Sequence, residues 1–536
     1  MSKETNSIIR LSKAAKKFNV GCGTIVEFLA GKGFMIGPSP NTRLTPEMFA
    51  LLSTEFQDER NEEHKGTIIK KRKRKRITGK PENNSIKSSA DYKLAIVGKA
   101  KKILETRPII GNEFCLLRYK IASEIIKYEG FRKEYGIQEE GSSNTIYRLA
   151  KPFIEGYFTI AIVGKSSAEK STFINTLIGE PLFPTGKNQT TSTLTFIENG
   201  SDAKMEVLFC DGHTEKIEHD IVKIKEKLKL IVSVPEEFSK LPISQINQLI
   251  AEDNSIDIIL EQKANIEKMA NRPKVDEELW RKYVDSHTKK DIPGRIMVSF
   301  PLPNEFDGWR IIDTPDVSAT GEIQEVTKML FNERDNENKK TVDAIVYLQD
   351  SSCYMEDETV HAFMEKVCNG LTEEAKHSLF FVLTQATREQ SIGSDRFILE
   401  KNKTLQKARE LYSDTFGIPH NRFVYIDSLL ERFNNEVKDK VNFGKLPCPS
   451  NWDVDEWNSM TILYTTILYT QIEKQIKRNG LQPCGESFGK IMKEWSGFDS
   501  LKSLLNEFVR KEKSDIYDNI CTCIKKDLDS FEKPLS

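Results

Sequence analysis

Several features that mark common classes of protein are missing from this sequence. It has no run of about 18 consecutive apolar residues, so we predict no membrane-spanning helix. Its nine cysteines form no CxxC pair and its seven histidines form no HExxH motif. Both absences argue against a disulfide framework and against a metalloenzyme. The two signs of charge are nearly balanced, with 79 Lys and Arg residues and 80 Asp and Glu residues. Any basic surface must therefore be local.

The N-terminus also lacks the apolar stretch of a secretory signal. Together with the thinly spread cysteines, which we expect to stay reduced, this absence predicts a cytoplasmic protein. The sequence does contain enough apolar material for a large core, since 38% of its 536 residues are hydrophobic. At roughly 100–200 residues per domain, the chain is long enough for two to four domains.

The pattern of apolar and charged residues divides the chain into five stretches. We expect short helices in residues 1–60, a basic, disordered linker in 61–90, helices in 91–157, alternating strands and helices in 158–510, and a terminal helix in 511–536. Apolar residues repeat at helical spacing in the last stretch, and we expect them to pack against the helices of the third. A charged insertion at about 214–295 is predicted to form several amphipathic helices.

Residues 1–60 carry the signals of a small helical module. Thr45 is a suitable N-cap and Pro46 a suitable first helical residue, and Ser12 is a suitable N-cap for an earlier helix. The segments RLSKAAKKFNVGCGTIVEFLAGKGF and NTRLTPEMFALLSTEF resemble the small N-terminal module of bacterial translation initiation factor two. That resemblance implies contact with RNA or with the translation machinery. A docking module for another partner remains open, because a fold does not fix a function.

Seven consecutive cations follow this module. Charge repulsion keeps such a run extended and solvated. The run fits salt-dependent binding to the phosphates of a nucleic acid, a solubilising linker, or contact with an acidic protein or an anionic lipid surface. The neighbouring module favours RNA or the ribosome. The residues are Lys70, Lys71, Arg72, Lys73, Arg74, Lys75 and Arg76.

A phosphate-binding loop is predicted after the apolar strand at residues 158–163. Loop amides and a helix N-terminus attract phosphate, Lys170 would neutralise the β- and γ-phosphates, and the Ser171 hydroxyl would bind Mg²⁺. Glu169 stands where the second glycine of the pattern GxxxxGK[ST] belongs, and we expect its carboxylate to point outward to solvent. The predicted nucleotide-binding residues of this loop are Gly164, Ser167, Ala168, Glu169, Lys170, Ser171 and Thr172.

Apolar segments further along the chain predict an α/β fold. Segments 309–313, 343–348, 379–384 and 423–427 are predicted strands, and helical patterns separate most of them. Strands that alternate with helices form a mainly parallel sheet with helices on both faces.

From about Phe158 to about Val509, four segments in order resemble the dynamin-like GTPases, especially their bacterial branch. They are FTIAIVGKSSAEKSTFINTLIG, PLFPTGKNQTTSTLTFI, WRIIDTPD and SGFDSLKSLLNEF. The resemblance implies a Ras-like P-loop GTPase domain and helical neck segments, beside the small all-α module at the N-terminus. It also implies that Thr191, or failing it Thr190, is the switch threonine, and that Asp313 holds Mg²⁺ through water.

The chain departs from the family pattern at positions that face the nucleotide. Ser166 occupies the place of the glutamine that positions the attacking water in dynamin. Asp316 replaces the glycine that senses the γ-phosphate in the DxxG motif. The base-reading motif TKxD is replaced by Thr384, Gln385, Ala386 and Thr387, which lack both its lysine and its aspartate.

Two functions follow from these observations. The first is a Mg²⁺-dependent switch that binds GTP and GDP and hydrolyses GTP slowly. The second is a catalytically inactive pseudo-GTPase scaffold that binds RNA, the ribosome or a protein partner through residues 1–76. Pairing of two copies through their GTPase faces fits the resemblance, whereas the sequence does not support membrane binding. The residues of the first hypothesis are Lys170, Thr191 and Ser166 for catalysis, Ser171, Thr191 and Asp313 for Mg²⁺, and, besides the loop, Asp313, Thr384, Gln385, Thr387 and Ser428 for nucleotide binding.

Overall fold

The computed structural model divides the chain into two compact units, Met1–Lys80 and Pro81–Ser536. In the first unit it describes residues 9–10, 25, 29, 34, 43–45, 48 and 52. In the second it describes 89–136, 141–164, 169–185, 193–232, 234–269, 274–314, 342–351, 358–369, 371–385, 397–437 and 447–531. In these parts of the chain no helix is both long enough and apolar enough to cross a membrane.

The N-terminal unit contains a short antiparallel ladder that the all-α prediction lacks. Strand β1 (Ile9–Arg10) pairs with strand β2 (Arg43–Leu44), with Ile9 opposite Leu44. Two-residue strands are too short to produce a period-two pattern in the sequence, which is why the prediction missed them. Thr45 acts as the N-cap that the sequence predicts, because its hydroxyl accepts the backbone N–H of Met48 at 3.3 Å.

In the described part of the second unit, nine strands form one mixed sheet. The strands are β3 (Phe158–Gly164), β4 (Thr195–Asn199), β5 (Lys204–Phe209), β6 (Thr214–Glu218), β7 (Pro293–Phe300), β8 (Trp309–Asp313), β9 (Ala344–Asp350), β10 (Leu379–Thr384) and β11 (Phe423–Tyr425). Their order across the sheet is β11-β10-β9-β3-β8-β4-β7-β5-β6. The pairs from β11 to β8 are all parallel, and β4 is antiparallel to β8. The prediction of a mainly parallel α/β sheet is confirmed.

Helices cover both faces of the sheet. They are α1 (Ser89–Glu105), α2 (Glu113–Glu134), α3 (Gly141–Ile154), α4 (Lys170–Ile178), α5 (Ile221–Val232), α6 (Ile243–Ala251), α7 (Ile256–Met269), α8 (Glu277–Ser286), α9 (Glu358–Asn369), α10 (Glu373–Lys376), α11 (Phe397–Phe416), α12 (Ser428–Val437), α13 (Val454–Leu463), α14 (Tyr469–Arg478), α15 (Gly485–Ser496) and α16 (Phe498–Phe531). One apolar cluster joins α1 to α5 and α16 to one face, and a second joins α9 and α11 to the other.

The burial of each strand agrees with its place in the sheet. Every residue of β3 is buried, as expected for a parallel strand covered on both faces. By contrast, β5 alternates exposed and buried residues, because one of its faces meets solvent. The predicted helical insertion at 214–295 is wrong at both ends, where β6 and β7 extend the sheet. Ile217 of β6 and Ile221 and Ile224 of α5 follow one another at helical spacing, which suggested one continuous helix.

The end of α16 packs against α2 and α3, which also contact α1, and we call these four elements the neck bundle. Ile520 and Ile524 are buried in the same cluster as Ile121 of α2. The hydroxyl of Tyr128 donates to the carboxylate of Asp527 at 2.5 Å, which fixes the register of the two helices. The apolar stripe in the terminal stretch thus makes the contact that its spacing predicts. The helix itself begins at Phe498, before the predicted start of the terminal stretch.

Helices α12 to α15 form a further apolar cluster of their own, the C-terminal helical cluster. Phe433, Trp457 and Trp495 are among its buried residues. Between α13 and α14 the backbone makes a π-helical turn over Tyr464–Leu468, within the repeated Thr-Ile-Leu-Tyr-Thr segment. Both Tyr464 and Leu468 are buried, so this segment is part of the cluster's core.

Candidate functional site

The candidate site lies where β3 leads into α4, at the carboxyl ends of the parallel strands. Ligands of open α/β sheets bind at this edge. The strand ends at Gly164 and the helix begins at Lys170. The sequence folds this way because a wholly apolar strand gives way to a polar loop, after which apolar residues recur at helical spacing.

Glu169 caps the start of α4 in a left-handed backbone conformation, with φ 56° and ψ 39°. Glycine adopts this conformation without strain, whereas in other residues the strain costs about 1–2 kcal/mol. The backbone thus keeps the geometry of the glycine that Glu169 replaces. Its side chain is half-buried, and the outward direction of the carboxylate stays a prediction.

Lys170 is the buried cation of the site. Its side chain is only 3% exposed, although a lysine is almost never this buried without a partner. The ammonium group donates a hydrogen bond to the carbonyl oxygen of Gly164, with Nζ 3.1 Å away. This bond holds the positive charge at the end of β3, the edge at which the predicted phosphates would lie.

Asp313 ends β8 directly beside β3. It is completely buried, and its Cα lies opposite that of Ile162 in the parallel ladder. The next residue, Thr314, donates its hydroxyl proton to the carbonyl oxygen of Ile162 at 2.7 Å, which ties the end of β8 to the loop strand. The structure therefore brings Gly164, Lys170 and Asp313 to one edge, as the sequence predicts.

Ser171 and Thr172 occupy the first turn of α4. Ser171 is half-buried and Thr172 is buried. A fully buried carboxylate at Asp313 and a hydroxyl at Ser171 are oxygen donors of the kind that Mg²⁺ prefers. Nowhere in the described ranges do three or more His, Cys, Asp or Glu residues form a metal cage. This donor set fits a magnesium ion that takes its other ligands from nucleotide phosphates and water.

The predicted base-reading residues lie at the ends of β10 and β11. Thr384 is buried, and its hydroxyl donates to the carbonyl oxygen of Gln349 at 3.3 Å. Gln385 has a φ of 56°, which turns the chain sharply after the strand. Ser428 begins α12 and is buried, and its carbonyl oxygen accepts the hydroxyl of Thr176 on α4 at 3.3 Å.

Two polar residues at the end of β9 were not predicted as site residues from the sequence. The side-chain amide of Gln349 and the hydroxyl of Ser351 are buried and have no hydrogen-bond partner within the part of the chain that the structure describes. The Ser428 hydroxyl shares this property. A buried polar group without a partner costs about 1–3 kcal/mol, which a ligand would recover. The signal was present, since polar residues directly follow the apolar segment 343–348.

Several predicted site residues lie outside the described residues. They are Ser166, Ser167, Ala168, Thr190, Thr191, Asp316, Ala386, Thr387 and the basic run of residues 70–76.

The fold and the site together define a P-loop type of nucleotide-binding domain. Residues 160–386 match the profile of the dynamin family, Dynamin_N. This part of the chain, less than half of its length, is therefore similar to the dynamin family.

Two curated relatives are each similar to a part of this chain. A bacterial dynamin-like protein of Nostoc punctiforme is 32% identical over 111 residues, which cover 20% of this chain and 16% of the relative. Translation initiation factor IF-2 of Bacteroides fragilis is 45% identical over 53 residues, 10% of this chain and 5% of the factor. The chain thus spans less than a fifth of the length of either of these relatives.

One solved structure similar to this chain is that of an oligomerised bacterial dynamin pair. Its description connects that pair with the long-range sensing and tethering of membranes. It has 14% sequence identity and a TM-score of 0.31, and the alignment covers 67% of this chain and 46% of that one.

Proposed function

We propose that this chain is a Mg²⁺-dependent guanine-nucleotide switch with slow GTP hydrolysis. The observation that carries the proposal is the convergence of Lys170 and Asp313 at the end of β3, with Lys170 bound to Gly164. A buried cation beside a buried carboxylate, at the start of a helix, suits the phosphates of a nucleotide and the metal ion bound to them.

In this mechanism Lys170 binds the β- and γ-phosphates, and its bond to Gly164 keeps the ammonium group at the end of β3. The Ser171 hydroxyl, and the Asp313 carboxylate through water, would hold Mg²⁺, which would supply positive charge to the phosphates. Thr191 orders its loop when the γ-phosphate is present, and Ser166 positions the attacking water. The serine is shorter than glutamine, and Asp316 brings negative charge near the γ-phosphate; both features favour a slow reaction.

Thermal unfolding of the full chain with Mg²⁺ and GTP, GDP or ATP tests this proposal. At a hundred times its dissociation constant, a ligand adds about 2.7 kcal/mol to the free energy of unfolding. We expect GTP and GDP to raise the midpoint by several degrees and ATP to raise it less. An equal rise with ATP would show that base selectivity has been lost. If millimolar nucleotide of every kind leaves the midpoint unchanged, the scaffold hypothesis replaces the switch.

A second proposed activity belongs to the N-terminal region. The 45% identity to translation initiation factor IF-2 over 53 residues supports an RNA or ribosome partner for residues 1–76. Residues 61–90 would then link this module to the GTPase domain as a basic tether. Pairing of two copies through their nucleotide-binding faces is also part of the proposal.

Neutralising the basic run tests the RNA partner. We expect the full chain with all seven cations of residues 70–76 changed to glutamine to bind single-stranded RNA more weakly. The slope of log affinity against log salt should fall by about 0.7 for each phosphate that the variant no longer neutralises. The control changes Lys223, Lys225, Lys227 and Lys229 of α5 to glutamine. Equal losses of affinity in both variants would point to nonspecific charge attraction, and unchanged binding in the first would exclude the run.

A further inference from the structure

Gln349 is a buried polar side chain at the carboxyl end of β9. Only 4% of it is exposed, and within the described part of the chain neither the oxygen nor the nitrogen of its amide has a hydrogen-bond partner. An apolar side chain of the same shape would avoid the free-energy cost of burying these two atoms. An amide that stays buried at this cost needs a reason, and binding a ligand supplies one.

The register of the sheet places Gln349 at the edge where the candidate site lies. The preceding residue, Leu348, lies opposite Gly164, the residue at which β3 ends and the predicted phosphate-binding loop begins. On the other side of β9, Gln349 lies opposite Leu383 of β10, one residue before Thr384. Gln349 is therefore next to both the start of the loop and the segment that the sequence predicts to contact the base.

The hydrogen bonds around Gln349 leave its amide available. Thr384 donates its hydroxyl proton to the backbone carbonyl oxygen of Gln349 at 3.3 Å, so this proton is already used within the protein. The backbone N–H of Ser351 donates to the carbonyl oxygen of Thr384 at 3.1 Å, which continues the pairing of the two segments past β9. The Ser351 hydroxyl is buried and, among the described residues, also lacks a partner. The end of β9 thus carries two polar side chains whose hydrogen bonds are still to be made.

The amide of Gln349 is chemically complementary to the edge of a guanine base. It has one oxygen that accepts hydrogen bonds and one NH₂ group that donates them. Guanine has donors at N1 and N2 and an acceptor at O6. We propose that Gln349 binds the base of the nucleotide, with its amide oxygen accepting from N1 or N2 and its amide nitrogen donating to O6. The inference rests on the proposed nucleotide-binding function, to which it adds a base-recognition residue on β9.

Affinity of the full chain for GTP and for tripolyphosphate, both with Mg²⁺, tests the inference. Methionine is close to glutamine in size but makes no such hydrogen bonds, and tripolyphosphate has no base. We expect Gln349→Met to weaken GTP binding about tenfold, because the base loses its partners. The same variant should bind tripolyphosphate as the unmutated chain does. Equal losses for both ligands, or an unchanged affinity for GTP, overturn the inference.

Thermal unfolding without nucleotide separates a binding role from a structural one. We expect Gln349→Met and Gln349→Leu to raise the midpoint by about 1–2 °C, because an apolar group replaces a buried amide without partners. The matched control is Asn247→Leu on α6, since the buried Asn247 amide accepts the hydroxyl of Tyr283 at 2.8 Å. It should lower the midpoint and leave the GTP affinity unchanged. A lower midpoint in both Gln349 variants overturns the inference.

The unmutated chain separates failure of this inference from failure of the proposed function. We expect it to bind GTP more tightly than tripolyphosphate. Equal affinities would mean that the base is not recognised, which overturns the role of Gln349 but keeps the phosphate site. A chain that binds neither ligand overturns the proposed function itself.

Discussion

Replacing Lys170 by methionine is expected to weaken GTP and GDP binding by about 100-fold or more. Methionine keeps most of the apolar stem that this site buries but removes the ammonium group that bonds to Gly164. The phosphates would then meet the Glu169 carboxylate without their closest cation. Binding is measured by calorimetry with Mg²⁺, and the midpoint rise caused by GTP should disappear in parallel.

The control for this prediction is Lys477→Met, which removes an exposed lysine paired with Glu473 on α14. It should bind nucleotide as the original chain does, since an exposed pair of this kind contributes little. Circular dichroism of the Lys170 variant checks that the fold is kept. Full nucleotide affinity in a folded Lys170→Met protein would show that phosphate binds elsewhere.

Replacing Gly497 by alanine is expected to reduce the free energy of unfolding by about 4 kcal/mol or more. This glycine lies between α15 and α16 with a φ of +76°, and an added Cβ would lie 2.0 Å from the carbonyl oxygen of Tyr425 on β11. The obstacle is backbone, so β11 or the helix junction must move. That movement would also break the 2.7 Å bond from the Asp427 N–H to the Ser496 carbonyl oxygen.

Gly480→Ala is the matched control, because Gly480 has a similar φ of +68° but no atom within 4 Å of an added Cβ. It should cost about 1–2 kcal/mol, the strain of a left-handed alanine alone. Urea unfolding measures both variants, and the difference between them isolates the clash. Equal losses of stability would mean that the contact with Tyr425 relaxes freely.

The sequence predicts the parts of the site that local pattern encodes. The buried strand β3, Lys170 and the acidic residue that ends β8 each carry their own signal, because apolar runs and the polar residues after them are adjacent in the chain. The contact between Thr176 and Ser428 carried no such signal. It depends on how α12 docks against α4, and those two helices are far apart in sequence.

Strands β5 and β6 show the same limit in the fold. Most of their exposed positions hold Lys or Glu, residues that also suit a solvent-facing helix. The place of β5 in the sheet depends on its pairing with β7, which follows four intervening α-helices. Similarly, nothing near Gly497 in the sequence reveals Tyr425 as its neighbour. Contacts of this kind arise only when the sheet is assembled.

Helix α16 extends without interruption from the candidate site to the neck bundle. Phe498 at its start stacks on Phe173 of α4, with ring centres 5.7 Å apart, and Asp527 near its end binds Tyr128 of α2. Its 34 residues contain neither proline nor glycine, so the helix extends for about 50 Å without a built-in kink. In the proposed switch, a shift of α4 on phosphate binding would reach the neck bundle through this straight helix.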